Sequence, residues 1–254
     1  MTRLKGKKGL VVGIANDQSI AWACARSLRA SGAELAATWH TERSRPHVEP
    51  LLQQLGVDIQ MPLDITDDAQ LRALFDLIEQ RWGRLDFVLH SIAFAPRQDL
   101  HGRVVDSSRE GFMTAMDVSC HSLMRLARLA EPLMPQGGSV MTMSFIGGRD
   151  VIPSYGLMGP VKAALESSVR YLAAELGASN IRVNAISPGP IATRASSGLS
   201  DIAGLIDDSE HRMPMRRGLN IDDIGPLCAF LASDDACAIT GTTQYVDGGF
   251  HVLS

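Results

Sequence analysis

Tyr155 and Lys162 stand seven residues apart, and the run that follows them, Ala163-Ala164-Leu165-Glu166, reads as helix. A phenol can donate a hydrogen bond to an oxygen on which negative charge develops, and a lysine brings a positive charge whose three donors can grip ribose hydroxyls. If both side chains project from the head of one helix, two turns and about 10.5 Å of rise separate them, so one extended ligand can touch both. That division of labour suits hydride transfer. Tyrosine and lysine at this spacing also occur on ordinary helices, with the phenol at the core edge and the ammonium in water. The chemical reading therefore depends on what else the chain brings to the same place.

The chain has 254 residues, 45% hydrophobic and 20% charged, enough apolar material for one large core of a size common among α/β folds. Its 23 glycines and 12 prolines are ordinary counts, which argues against a fibrous or disordered chain. A formal charge of −4 with no basic stripe leaves little to replace counterions along phosphates, so no nucleic-acid partner is expected. Lys5, Lys7 and Lys8 precede only Leu10-Val11-Val12 before Gly13 interrupts, too short a run for a signal peptide or a membrane span. A cytoplasmic protein with no membrane partner is expected. Cys24, Cys120, Cys228 and Cys237 are widely separated, without metal-ligand spacing; all four read as buried free thiols, and no metal is expected.

Strands and helices alternate along the chain. A strand at 8–13 ends at Gly13 and a helix capped by Ser19 opens after it, so the loop between them can hold a pyrophosphate at a helix N-terminus, although the three-glycine fingerprint is missing. A second strand at 33–39 ends before His40, where a dinucleotide fold places its ribose-reading residue; Glu42 would disfavour a 2′-phosphate and Arg43 would welcome one. After a helix at 46–55 and a third strand at 58–63 come Asp64, suited to accept from an adenine amino group, and Ile65, suited to pack on the ring. Asp64 suits equally a turn or the cap of a helix at 69–82. The fourth strand, 85–91, is apolar enough to be central in a parallel sheet and leads to Ser91-Ile92-Ala93; His90 within it reads as a core histidine, not a general base. A long helix at 109–134, a strand at 138–144, a helix at 155–176 and strands at 181–187 and 243–247 complete the pattern.

These elements predict a single-domain α/β Rossmann-like fold over 1–254, a doubly wound, seven-stranded parallel sheet with helices on both faces. Ligands of such sheets bind beyond the carboxyl ends of the strands, which collects Gly13, His40, Asp64, Ile92 and the stretch after Met143 on one rim. The connection 188–217 is too long for a simple turn inside a compact domain and reads as a substrate-covering loop region.

With these residues assembled, the sequence resembles the short-chain dehydrogenase/reductase superfamily, and within it the divergent branch of bacterial enoyl-acyl-carrier-protein reductases. The residues that carry the resemblance span nearly the whole chain: Gly13 with Ser19-Ile20-Ala21, Ser91-Ile92-Ala93-Phe94-Ala95-Pro96, Tyr155 with Lys162, Arg182-Val183-Asn184-Ala185-Ile186-Ser187-Pro188-Gly189-Pro190-Ile191, and Val246-Asp247-Gly248-Gly249-Phe250. Carbonyl-reducing relatives resemble it less, since they keep the tyrosine and lysine four apart.

The resemblance implies reduction of trans-2-enoyl thioesters, carried on acyl carrier protein, to saturated acyl thioesters in fatty acid biosynthesis, with NADH the expected cofactor and NADPH the alternative. It implies that Tyr155 bonds the thioester carbonyl and Lys162 the nicotinamide ribose. Gly13, Ser19, Ile20, His40, Asp64, Ile65, Ser91, Ile92 and Ala93 would line the cofactor, Ile191, Ala192, Thr193, Arg194 and Ala195 would flank the nicotinamide, and Ala95 would touch substrate. A homotetramer is expected on the same basis. Phe145 stands where many bacterial members carry a second tyrosine, and is expected either to stack near the nicotinamide or to wall the acyl pocket. Gly156, Gly159 and Pro160 soften the start of the catalytic helix, because Pro160 disfavours helical geometry at Gly159. Lys162 reads as a ribose clamp and field source and not as a base, since nothing in its sequence neighbours forces it neutral. Two other readings stand beside this one: a carbonyl reductase acting on a 3-oxoacyl thioester or another ketone, and a non-catalytic NAD(P)-binding regulator.

Overall fold

The computed structural model describes residues 2–253; Met1 and Ser254 of the expected 1–254 domain lie outside the described residues. From the amino terminus, β1 (Lys8–Val12) leads to α1 (Ile20–Ala30), β2 (Glu34–Trp39) to α2 (Arg45–Leu55), β3 (Ile59–Pro62) to α3 (Asp68–Trp82), and β4 (Phe87–His90) to a single-turn α4 (Arg97–Leu100). Then come α5 (Arg109–Met116), a π-helical turn (Asp117–His121), α6 (Ser122–Ala130), β5 (Gly138–Met143), α7 (Met158–Leu176), β6 (Ile181–Pro188), α8 (Ile202–Arg212), α9 (Gly225–Ala232) and β7 (Thr243–Val246). All seven strands are parallel, in the order β3-β2-β1-β4-β5-β6-β7. The chain winds outward from β1 to β3, then returns to place β4 on the other side of β1, with Val12 opposite His90. That reversal is where a crevice opens at the carboxyl ends.

A strand covered on both faces must offer apolar side chains to both. Val88 of β4 joins Leu71, Leu74 and Ile78 of α3 and Leu123 and Leu126 of α6 on one side. Its neighbours Phe87 and Leu89 join Ala21 and Leu28 of α1 and Val48 and Leu52 of α2 on the other. The Phe87 ring fills the space that a side chain at residue 9 would take, so β1 carries Gly9 there.

Helices α1, α3, α5 and α8 begin at side-chain caps. Ser19 accepts from the Trp22 amide at 3.4 Å, and Ser108 from that of Gly111 at 2.9 Å. For α3 the cap is Asp67, which accepts from Ala69 at 2.8 Å and Gln70 at 3.1 Å; Asp64 takes the turn role instead.

The helix expected over 109–134 is broken by the π turn and ends at Ala130. Ser122 Oγ donates to the Val118 carbonyl at 2.6 Å, a side-chain bond that competes with the helical ladder. Within the turn, Ser119 Oγ accepts from the Phe94 amide at 2.9 Å and donates to the Phe94 carbonyl at 3.0 Å. Pro132, with no N–H to give, sits in the short 3-10 turn Glu131–Leu133 that closes the segment.

Cys24, Cys120 and Cys228 are buried free thiols, but Cys237 is exposed, because it follows the edge turn Asp234–Ala236 and not a core helix. Among the described residues, no helix is long and apolar enough to cross a membrane.

Candidate active site

A cleft with about 1170 Å³ of space, open to solvent, lies at the β1/β4 reversal. Gly13, Ser19 and Ile20 form one side of it, Ser91, Ile92, Ala93 and Ala95 the floor, and Phe145, Tyr155 and Lys162 the opposite side. Ile191, Thr193, Arg194 and Ala195, past β6, also line it. Gly13 has φ +105°, and the Ser91 carbonyl oxygen stands where a side chain would project, so only glycine fits between the two strand ends.

Four expected site residues lie outside this lining. His40 is exposed at the end of β2, and Asp64 lies beside it past β3, as the pairing of Trp39 with Pro62 requires. The Asp64 carboxylate accepts from the Thr66 amide at 2.9 Å and hydroxyl at 2.7 Å, and the Thr66 hydroxyl bond leads the causes that hold it below the usual carboxylate range. Ile65 is buried in the core under α3, and Ala192 is exposed while its neighbours face inward. The structure adds lining residues that sequence reasoning missed, among them Leu100, Met158, Leu199, Ile202 and Leu205. The last two belong to α8, a helix inside the stretch 188–217 that the sequence showed only as a polar and apolar mixture.

The phenol and the ammonium do not share a helix. Tyr155 sits in a turn ahead of α7, between Ser154 at φ +68° and Gly156 at φ +50°, left-handed values that a right-handed helix cannot contain. Gly156 is required there, since a Cβ would come within 2.8 Å of the Leu100 carbonyl oxygen. Helical geometry begins at Met158 and runs through Gly159; Pro160 falls in the first turn, where its missing N–H costs no bond. The softening expected at Gly159 is thus displaced to residues 154–156, and the rise of two helical turns does not describe the pair.

Packing fixes the phenol instead. The Phe145 ring lies 4.7 Å from that of Tyr155 at 53°, and a Cβ on Gly147 would approach Tyr155 Cδ1 to 2.5 Å. Tyr155 is half-buried, and burial, followed by the charge of Glu166, raises its pKa, so it stays a donor at neutral pH. Lys162 is 4% exposed and its Nζ donates to the Met143 carbonyl at 2.6 Å. Burial lowers its pKa to about 8, against the opposing pull of Glu166 and Cys120, which leaves it mostly charged at neutral pH. Sequence neighbours do not force it neutral; the fold moves it toward neutrality without reaching it.

His90 is the core histidine expected. Its Nε2 meets Ser122 Oγ at 2.7 Å and its Nδ1 meets Thr142 Oγ1 at 2.8 Å. Because the Ser122 hydroxyl hydrogen is given to Val118, Nε2 carries the ring proton and Nδ1 accepts from Thr142. Burial pushes the pKa down to about 3, so the ring is neutral and braces β4 against β5 and α6.

The family model described as enoyl-(acyl carrier protein) reductase matches residues 13–251. The chain belongs to that family. An enoyl-[acyl-carrier-protein] reductase [NADH] of Nostoc is 47% identical over 256 residues, covering 100% of this chain and 99% of its own. One from Rhizobium meliloti is 43% identical, covering 98% and 92%. Among solved structures, the Anaplasma phagocytophilum reductase in complex with NAD superposes with a TM-score of 0.95 at 44% identity, covering 99% of this chain and 96% of that one. The Bacillus cereus reductase with NADP+ and an indole naphthyridinone gives 0.97 at 43% identity and full coverage of both chains. These relatives share the reductase fold from end to end, so the cleft is placed by the framework of the family.

Proposed function

We propose that this chain reduces trans-2-enoyl thioesters on acyl carrier protein to saturated acyl thioesters in fatty acid biosynthesis, with NADH as reductant. The observation that carries the reading is the meeting of Tyr155 and Lys162 in a cleft at the β1/β4 reversal of a chain in this family. The residues present fit a dinucleotide. Gly13 leaves the backbone bare where a pyrophosphate would approach, and the first turn of α1, capped by Ser19, presents N–H groups beside it. His40, Asp64 and Ile65 lie past β2 and β3, toward the adenosine end. The naming of the relatives as NADH-dependent reductases supports NADH over NADPH.

When bound, the nicotinamide supplies a hydride to the β-carbon of the enoyl group. As electrons move onto the thioester oxygen, the Tyr155 phenol donates a hydrogen bond to it, an interaction stronger in the transition state than in the ground state. Lys162 holds the ribose hydroxyls and adds positive potential across the cleft. Protonation at the α-carbon, by the Tyr155 phenol or by solvent relayed past Lys162, completes the reaction. Ala95 and Phe145 form one wall of the acyl site, and Leu199, Ile202 and Leu205 of the 188–217 region cover the other.

Purified protein given NADH and a crotonyl thioester should oxidise NADH, and an acetoacetyl thioester should be turned over far more slowly. Preference for the ketone would move the chain to the carbonyl reductases; NADH binding with no turnover of either would make it a regulator. We place this activity in the cytoplasm, and its recovery in a membrane pellet would contradict that. Exposed Phe112 and Met113 of α5, Met124 of α6 and Tyr171 of α7 supply apolar surface for further copies, and we assign a homotetramer. Sedimentation should give four times the chain mass of 27.4 kDa; a monomer at micromolar concentration would rule the tetramer out.

A further inference from the structure

We propose that Glu166 is a positioning residue for this reaction: its carboxylate, anchored on the Ser144 hydroxyl, fixes the end of β5 and holds Lys162 in its charged form. The proposal rests on the reductase reading, since it concerns the same cleft.

Helix α7 grips two consecutive residues at the end of β5. Lys162 Nζ donates to the Met143 carbonyl at 2.6 Å, and Ser144 Oγ donates to Glu166 Oε1 at 2.6 Å. Residues four apart share a helix face, so the ammonium and the carboxylate address one strand end side by side. Met143 and Ser144 both line the cleft, so this junction sets part of its wall. The Ser144 amide is already given to Ile186 at 2.7 Å, which leaves the hydroxyl as the group that joins strand to helix.

An ammonium as buried as Lys162 needs a compensating charge. Glu166 and Cys120 act on it in the favourable direction, and burial in the other. Among the described residues, Glu166 is the one carboxylate among the charges that act on Lys162. Tyr155 on the turn before α7 and Tyr245 on β7 are phenols, both with pKa values raised first by burial, and His90 on β4 is a neutral imidazole. Asp117 of the π turn is paired with Arg125 at 3.3 Å and His121 at 3.2 Å, and Arg182 of β6 donates to the Ser233 carbonyl. Arg109 and Glu110 of α5 are exposed.

The test compares the pH dependence of NADH affinity, read by fluorescence, and of kcat/KM for a crotonyl thioester, from about pH 6 to about pH 10. Glu166→Gln keeps an acceptor oxygen for Ser144 and removes the charge. Its basic limb should move down by about one pH unit, with NADH affinity near wild type at the acid end and about tenfold weaker near the alkaline end. Glu166→Asp, which keeps a carboxylate, and Ser144→Ala, which leaves the charge in place, should keep the wild-type limb. Coincident limbs for Glu166→Gln and wild type would overturn the proposal, and so would an equal shift in Glu166→Asp or Ser144→Ala. Failure of the wild-type protein to reduce any enoyl thioester would overturn the reductase reading instead, while the NADH-binding limb would still report on Glu166.

Discussion

Tyr155→Phe is expected to lower kcat for a crotonyl thioester by about 10²–10³-fold while NADH affinity stays within about twofold, the loss typical of one preorganised donor to a developing oxyanion. The substitution isolates the hydroxyl. The ring is held by the edge of Phe145 and by the bare backbone of Gly147, contacts that phenylalanine keeps. Phe145 offers no oxygen to take over, so a nearby hydroxyl cannot mask the deletion. Steady-state rates at saturating NADH, with cofactor affinity measured separately, decide the matter; an unchanged kcat removes Tyr155 from the chemistry.

Lys162→Met should act on the other half of the site. Removal of a charge-assisted donor costs about 1.5–3 kcal/mol of cofactor affinity, or roughly tenfold to a hundredfold. Folding should suffer far less. Burial of an ammonium is itself unfavourable, and a methionine of similar length fills the same space, although the Met143 carbonyl then loses its donor. The sign of the pH effect follows from the lowered pKa. In the folded protein Lys162 titrates near 8 and in the unfolded chain near its ordinary 10.5, so between these values the unfolded state holds more protons and stability rises with pH. Below 8 the cost of the buried charge is present in full. Melting curves for wild type should therefore improve from neutral to alkaline pH on this account, and Lys162→Met should lose that component. Wild-type-like NADH affinity in the variant would rule out the ribose clamp.

The parallel sheet was legible because its central strands, covered on both faces, are apolar runs, as at 10–12 and 87–89, in a pattern that alternates with helices. Gly13, Ser19 and Ser91-Ile92-Ala93 followed once the strands were ordered, since topology alone gathers their ends. Local backbone handedness did not follow. Ser154 is a left-handed serine that no propensity singles out, and with Gly156 it takes Tyr155 off the helix where spacing had put it. The helix α8 was hidden because its apolar residues Ile202 and Leu205 face the cleft and not the main core, inside a stretch that reads as a loop. Ile65 reads like a residue able to stack on a ring, yet the packing of α3 claims it for the interior. The π turn escaped as well, since the Ser119 hydroxyl within it bonds Phe94, a residue distant in sequence.

That turn has a consequence for chain length. One added residue in a helix rotates everything beyond it by about 100°. Deleting a residue between Asp117 and His121 would heal the pitch of the helix and swing Ser119 off both backbone groups of Phe94, loosening the segment that carries Ala95 into the cleft. A helix that is more regular by itself would leave the neighbouring loop without its clasp, so the irregularity marks a place where trimming the chain harms a part of the molecule that the helix never enters.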